Sequence, residues 1–343
     1  MATEPRRDRE IRRPAAPLGF PRSAAELDPR VDPAVLTAVG RIAPGTALRQ
    51  GIDDIIRSRE GALIVIGEPA ELEFMFSGGI ALDQPFRPQL LYELSKMDGA
   101  IVIDSAISRL THANVQLMPD PTIPSNETGT RHRTAERVAK QTNALVISIS
   151  QQRETVTLFV DHSRYQLEPI ADVLAKTNQA VATLETYRTR LDQVLTRLTA
   201  LEFQDAVMLD DVLVVLQRAE LTTRMAEYIE RACTELGSEG RLIRMQLEEQ
   251  VSEVPAEKAA IVFDYHADGG AERVAEALEA LAELPYQQLL EFELLAVLGY
   301  PATTNPLDQA VSPRGYRVLT HIPRLPEGVI QRLVGELGGL GGI

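Results

Sequence analysis

Apolar residues fall in two textures along this chain. Between about residues 60 and 160 they come in short unbroken runs separated by amphipathic stretches. Ala62-Leu63-Ile64-Val65-Ile66, Ala100-Ile101-Val102-Ile103 and Ala144-Leu145-Val146-Ile147-Ser148-Ile149-Ser150 read as strands, as do residues 113–117 and 155–160. Residues 35–39, 47–56, 88–96 and 133–141 read as helices between them. Strands that are apolar at every position, with no alternation, are those covered on both faces. The expectation is an α/β domain over residues 26–165, a mostly buried central sheet flanked by helices.

After Glu168 the period changes. Ile170, Leu174, Thr177, Val181, Leu184, Tyr187, Leu191, Val194, Leu198 and Leu201 recur at steps of three and four. That spacing predicts one long helix over residues 167–201, roughly 50 Å at about 1.5 Å per residue. Such a helix needs partners, either the chain's own helices or a second copy in a coiled coil. Residues 207–251 continue helical, with a stop at Gly237 and Gly240, and residues 271–298 add more helix. Together they predict an all-α spine over residues 166–300. Gly299-Tyr300-Pro301 breaks the pattern, and residues 301–343 hold two short helices, 316–322 and 329–337, around the turn Pro323-Arg324-Leu325-Pro326. At the other end, Pro5, Pro14, Pro17 and Pro21 among charges read as a flexible tail over residues 1–25.

Charge and composition narrow the function. Forty-nine acids against 35 Lys and Arg leave a net charge of -14, which excludes a protein that coats nucleic acid through a broad basic surface. Any DNA contact has to be local, and residues 312–343 are where it could lie. There Arg314, Arg317, Arg324 and Arg332 outweigh Glu327 and Glu336. A single cysteine, Cys233, precludes an internal disulfide framework and suits a reducing cytoplasm; it reads as a small buried apolar residue. Residues 1–13 lack an apolar core, and no uninterrupted apolar run reaches the ~18 residues of a membrane span. A soluble, cytoplasmic protein with no membrane partner is the expectation.

Three elements carry chemistry. Asp98-Gly99-Ala100 puts a carboxylate at a strand edge beside a glycine that lets a ligand near the backbone, although Asp-Gly is also a common turn. The polar loop Ser125-Asn126-Glu127-Thr128-Gly129-Thr130 delivers Arg131-His132-Arg133 to the first turn of a helix. Helix amides and guanidinium forks both match phosphate, whereas cations at this end of a helix oppose its dipole unless an anion joins them. The alternative is a solvated basic helix start, with His132 as a cap or core residue. Third, Ile147-Ser148-Ile149-Ser150 ends a strand with both serines on one face. Either one or both hydroxyls reach the cleft, or both are buried structural groups.

Asp-Gly-Ala, then Gly-Thr-Arg-His-Arg-Thr beginning 31 residues beyond the Asp, then Ile-Ser-Ile-Ser closing a strand, resembles the diadenylate cyclase domain. The helical middle and the tail from Ser312-Pro313-Arg314-Gly315 to Ile322-Pro323-Arg324-Leu325-Pro326 make the whole similar to the DNA integrity scanning diadenylate cyclases, the DisA family. The resemblance implies condensation of two ATP into 3',5'-cyclic di-AMP with Mg²⁺ or Mn²⁺ held largely by phosphate oxygens. It implies that Asp98 acts on the ribose 3'-hydroxyl and that Gly99 and Leu117 line the adenosine pocket. Thr130, Arg131, His132, Arg133, Thr134 and Ser150 would hold the triphosphate. Because one domain offers one nucleotide site, two must meet face to face; the family implies an octamer. It also implies branched DNA as partner, gripped by a C-terminal helix-hairpin-helix with Arg314, Arg317 and Arg324 on phosphates. A second hairpin is expected after the first, so that domain reads as incomplete. The competing expectation is a catalytically inactive nucleotide sensor that binds DNA junctions.

Overall fold

A computed structural model describes residues 32–269, 271–289, 293–337 and 339–342. The flexible tail expected over residues 1–25 lies outside the described residues. The head opens with helices α1 (Pro33–Arg41) and α2 (Ala47–Arg57). Strand β1 (Ala62–Ile66), a short helix α3 (Pro69–Leu72), β2 (Phe76–Ser77), β3 (Ile80–Pro85) and α4 (Pro88–Ser95) follow. Then come β4 (Ala100–Ile103), β5 (Arg109–Leu117), α5 (Thr130–Gln141), β6 (Leu145–Ser150), β7 (Thr155–Val160) and β8 (Ser163–Gln166).

All eight strands form one sheet in the order β2-β5-β4-β1-β6-β7-β8, with β3 also on β5. Only β1 and β4 run parallel; the other pairs are antiparallel. One face carries Ile64, Ile66, Ile101, Ile103, Ile147 and Ile149 against α1, α2 and α4. The opposite face carries Leu63, Val65, Val102, Val115, Val146 and Phe159 against Ala135, Val138 and Ala139 of α5. Burial on both sides explains the unbroken apolar runs, and each such side chain contributes about 1.5–3 kcal/mol.

The spine begins with α6 (Ile170–Phe203), which packs along α7 (Leu209–Leu236). Leu184, Tyr187, Leu191 and Leu198 are buried with Val212, Leu216 and Ile229, so the long stripe is satisfied within the chain. A 3₁₀ turn, Gly237–Gly240, leads to α8 (Arg241–Val251) and α9 (Val254–Tyr265). The helix expected over residues 271–298 is instead α10 (Ala271–Glu283), α11 (Tyr286–Leu289) and α12 (Leu294–Val297). Pro285 explains the first break, since its ring removes an amide donor and clashes with the preceding turn.

Helix α7 touches both ends of the molecule. At its start, the Leu209 and Asp210 amides donate to the carbonyls of Gln309 (2.9 Å) and Pro306 (3.1 Å). At its end, Gly237, with φ +53°, lies beneath the loop that follows α1: an added Cβ would stand 2.3 Å from the Pro44 carbonyl oxygen. The Ser238 amide donates to that same oxygen at 3.0 Å, and the Tyr165 hydroxyl donates to Glu235 at 2.8 Å. Head and spine are therefore joined by apolar packing and by specific hydrogen bonds.

The tail contains α13 (Tyr316–Thr320) and α14 (Glu327–Leu337). Two reciprocal caps fasten it to α9. Arg314 donates to the carbonyls of Phe263 and Asp264 at the end of that helix and of His266 just beyond it, at 2.8–2.9 Å. In return the Asp264 carboxylate accepts from the amides of Tyr316 (2.8 Å) and Arg317 (2.9 Å), satisfying the start of α13. Burial pushes Asp264 up from 3.8 to about 6, the two amide bonds pulling the other way. The folded protein thus binds a proton here that the unfolded chain has released. Stability from this group is complete below pH 3.8 and is lost as pH rises through about 6. Replacing Asp264 with Asn should remove that slope, which thermal melts of both proteins between about pH 4 and about pH 7.5 will reveal.

Candidate nucleotide site

The strand register gathers the chemistry at one end of the sheet. Leu63 pairs with Ala100 in parallel, Ala62 with Ile149 and Ala100 with Val115 antiparallel, and Ser150 with Thr155. The beginnings of β1, β4 and β7 therefore share an edge with the ends of β5 and β6. Gly61, Asp98, Gly99, Leu117, Ser150 and Arg153 all belong to that edge, although they span nearly a hundred residues of sequence.

Helix α5 points its start at the same edge. Its cap residue, Gly129, offers no side chain to the first-turn amides, so those donors face outward. The Arg131 guanidinium crosses to the end of β6 and donates to the Ile149 carbonyl at 3.4 Å. Arg133 reaches back to the carbonyls of Glu127 and Thr128, also at 3.4 Å. These bonds are long, and a guanidinium has five N–H donors, so both arginines keep donors for a ligand. Thr130 is exposed and Thr134 half-buried beside them.

His132 is half-buried, edge-on to Phe159 with ring centres 6.3 Å apart. Burial pushes its imidazole below the ordinary value, Glu127 opposes this, and Arg164, Arg131 and Arg153 push it lower. These effects disfavour the charged imidazolium, so the arginines are the main carriers of positive charge at this edge. Glu127 is already paired to Arg164 at 2.6 Å, tying the loop before α5 to β8.

The two serines separate. Ser148 is fully buried opposite Thr157, and its hydroxyl has no hydrogen-bond partner among the described residues. Ser150 is half-buried at the edge, where its hydroxyl accepts from the Arg153 amide at 3.4 Å. Only Ser150 is open to a ligand. Asp98 is exposed at the start of β4. Gly99 has φ +96°, and a Cβ there would meet the backbone of Asn114 and Val115 at 2.8–3.0 Å. The space that a Cβ would need is taken by β5, so this position has no room for a side chain. Leu117 is buried among Leu63, Val115 and Phe76 at the same end.

The tail cations need the plainest correction. Arg317 is buried and ion-paired to Glu202, with Glu257 3.6 Å away, and it donates to Thr199 at 2.7 Å. Arg314 is spent on the carbonyls of α9. Neither is available to a DNA phosphate in this arrangement; Arg324, exposed in the turn between α13 and α14, is. Arg164 and Gly61 carry no local sequence signal, and only the fold reveals them.

An α/β head that gathers a carboxylate, a serine and the arginine-bearing start of α5 on one sheet edge is carried on an all-α spine. The family model described as DisA bacterial checkpoint controller nucleotide-binding matches residues 49–164, and that described as the DisA linker region matches residues 167–307. The DNA integrity scanning protein DisA of Carboxydothermus hydrogenoformans is 49% identical over 310 residues, 90% of this chain and 88% of that protein. The DisA of Streptomyces coelicolor is 46% identical over 88% of this chain and 82% of that protein. The chain belongs to the DisA family of diadenylate cyclases. No helix among the described residues is long and apolar enough to cross a membrane.

Proposed function

We propose that this protein condenses two ATP molecules into 3',5'-cyclic di-AMP, releasing two pyrophosphates, across two heads that face one another. The observation that carries the reading is the convergence of Asp98, Ser150, Arg131 and the start of α5 on one sheet edge. In each half-reaction the 3'-oxygen of one ribose forms a bond to the α-phosphorus of the other nucleotide. The bond from that phosphorus to the bridging oxygen breaks, and pyrophosphate leaves. Asp98 accepts the hydroxyl proton, while Arg131, Arg133 and the α5 amides bear the charge that develops on the phosphates. Thr130, Thr134 and Ser150 add hydroxyls, His132 an imidazole, and Gly99 and Leu117 bound the adenosine.

One edge holds one nucleotide, so the second must come from a second copy; a two-fold pairing makes each head complete the other. Higher assembly, up to an octamer, would build on such pairs. The oxygen donors at this edge, Asp98 and Ser150, fit a hard cation that needs one or two protein ligands. No group of three or more potential metal-ligating side chains occurs among the described residues. Mg²⁺ or Mn²⁺ carried on phosphate oxygens would neutralise charge on the departing pyrophosphate. Branched DNA is the partner we assign to the tail, through the turn between α13 and α14 and Arg324, as in a helix-hairpin-helix.

Incubating the purified protein with ATP and Mg²⁺ or Mn²⁺ should yield cyclic di-AMP and pyrophosphate in a ratio of one to two by chromatography. ATP binding without product would instead identify a nucleotide sensor.

A further inference from the structure

Gly61 is buried immediately before β1, in ordinary backbone conformation, so no turn requires a glycine there. The space that a side chain would occupy is taken by another residue. A Cβ on Gly61 would fall 2.1 Å from Arg131 Nη1 and 3.1 Å from its Cζ, with the Ile149 carbonyl oxygen at 3.2 Å. The guanidinium therefore lies in a slot whose floor is the Gly61 backbone and whose end is the Ile149 carbonyl that it donates to. Residues 70 and 18 positions away from Arg131 build the two sides of this slot. Methyl and guanidinium cannot share it, and the arginine, being the far end of a flexible side chain, is the group that must leave.

We propose that Gly61 is a positioning residue for the nucleotide site: its missing side chain holds the Arg131 guanidinium across the sheet edge, aimed at the triphosphate. The proposal rests on the ATP reading above. Gly61 touches no reacting atom; it acts through where Arg131 points. An arginine expelled from the slot keeps its charge but loses the fixed orientation that lets a planar fork match phosphate oxygens.

The test is a double-mutant cycle in the full-length protein, using 3'-deoxy-ATP, which cannot cyclise, as the calorimetric probe. Arg131→Ala should weaken binding about 10- to 100-fold, the range for a lost charge-assisted hydrogen bond, and Gly61→Ala should weaken it by a similar factor. The double variant should bind no worse than Arg131→Ala alone, because the glycine has nothing left to position. With ATP as substrate, Gly61→Ala should raise KM and lower kcat together, as Arg131→Ala should, because Arg131 meets the phosphates both before and during the reaction. Any loss of melting temperature in Gly61→Ala should be recovered in the double variant, where the crowded arginine is gone. Wild-type affinity in Gly61→Ala overturns the proposal, as does a double variant that loses the product of the two single effects. So does a lowered melting temperature that persists in the double variant, since the clash would then be with the Ile149 carbonyl. Wild-type protein that binds no 3'-deoxy-ATP brings down the cyclase reading itself, a result distinct from all of these.

Discussion

Asp98→Asn should bind ATP as the wild type does while forming cyclic di-AMP about 10²- to 10⁴-fold more slowly, the span associated with a positioned proton acceptor. Asparagine keeps the size of the side chain and both of its polar atoms but cannot take a proton. Asp98 is exposed and makes no ion pair among the described residues, so the exchange costs the fold little. Its neighbour Gly99 is different, because any side chain there collides with the β5 backbone. Single-turnover product formation, measured beside nucleotide affinity, separates the two properties. Near-normal turnover would remove Asp98 from the reaction and shift attention to water or to the phosphates as proton acceptor.

Arg317→Ala should destabilise the attachment of the tail by about 3–5 kcal/mol, the penalty for leaving a buried charge without its partner. The carboxylate left behind is Glu202, wholly buried on α6, whose other donor is the Tyr265 hydroxyl at 2.7 Å. Thr199 and Glu257 lose a contact at the same time. A lower melting temperature and faster proteolysis between residues 301 and 316 would register the loss. Arg324→Ala, by contrast, should leave the melt unchanged and weaken DNA binding, since that side chain is exposed and carries no ion pair among the described residues. Two arginines seven residues apart in one basic tail thus have opposite expected outcomes, and only burial distinguishes them.

Much of the architecture was legible because burial on both faces writes itself as unbroken apolar runs and a spine as a stripe at steps of three and four. The strands β1, β4, β6 and β7 and the helices α2, α5 and α6 fall close to where those patterns put them. Strands β3 and β8 were not legible: Ile80–Pro85 and Ser163–Gln166 are edge or exposed segments with no apolar run to announce them. Helix α9 is weakly marked beside two better-marked stretches, and its start bears Pro255 at the first turn. Within the site, Asp98 and the loop before α5 stood out because carboxylate, glycine and paired arginines are unusual at such places. Gly61 did not, since its meaning depends on an arginine seventy residues later. Net charge marked the tail as basic but could not tell a solvated arginine from one neutralised by Glu202. That distinction lives in packing between α6 and α13, more than a hundred residues apart.

Helix α7 has a mechanical consequence. Its 28 residues make a rod of about 42 Å that is bonded to residues 306–309 at one end and, through Gly237 and Ser238, to Pro44 at the other. A tilt of about 4° pivoting near the first end would sweep the second through about 3 Å. Any displacement of the rod about its tail end would therefore be magnified at Pro44.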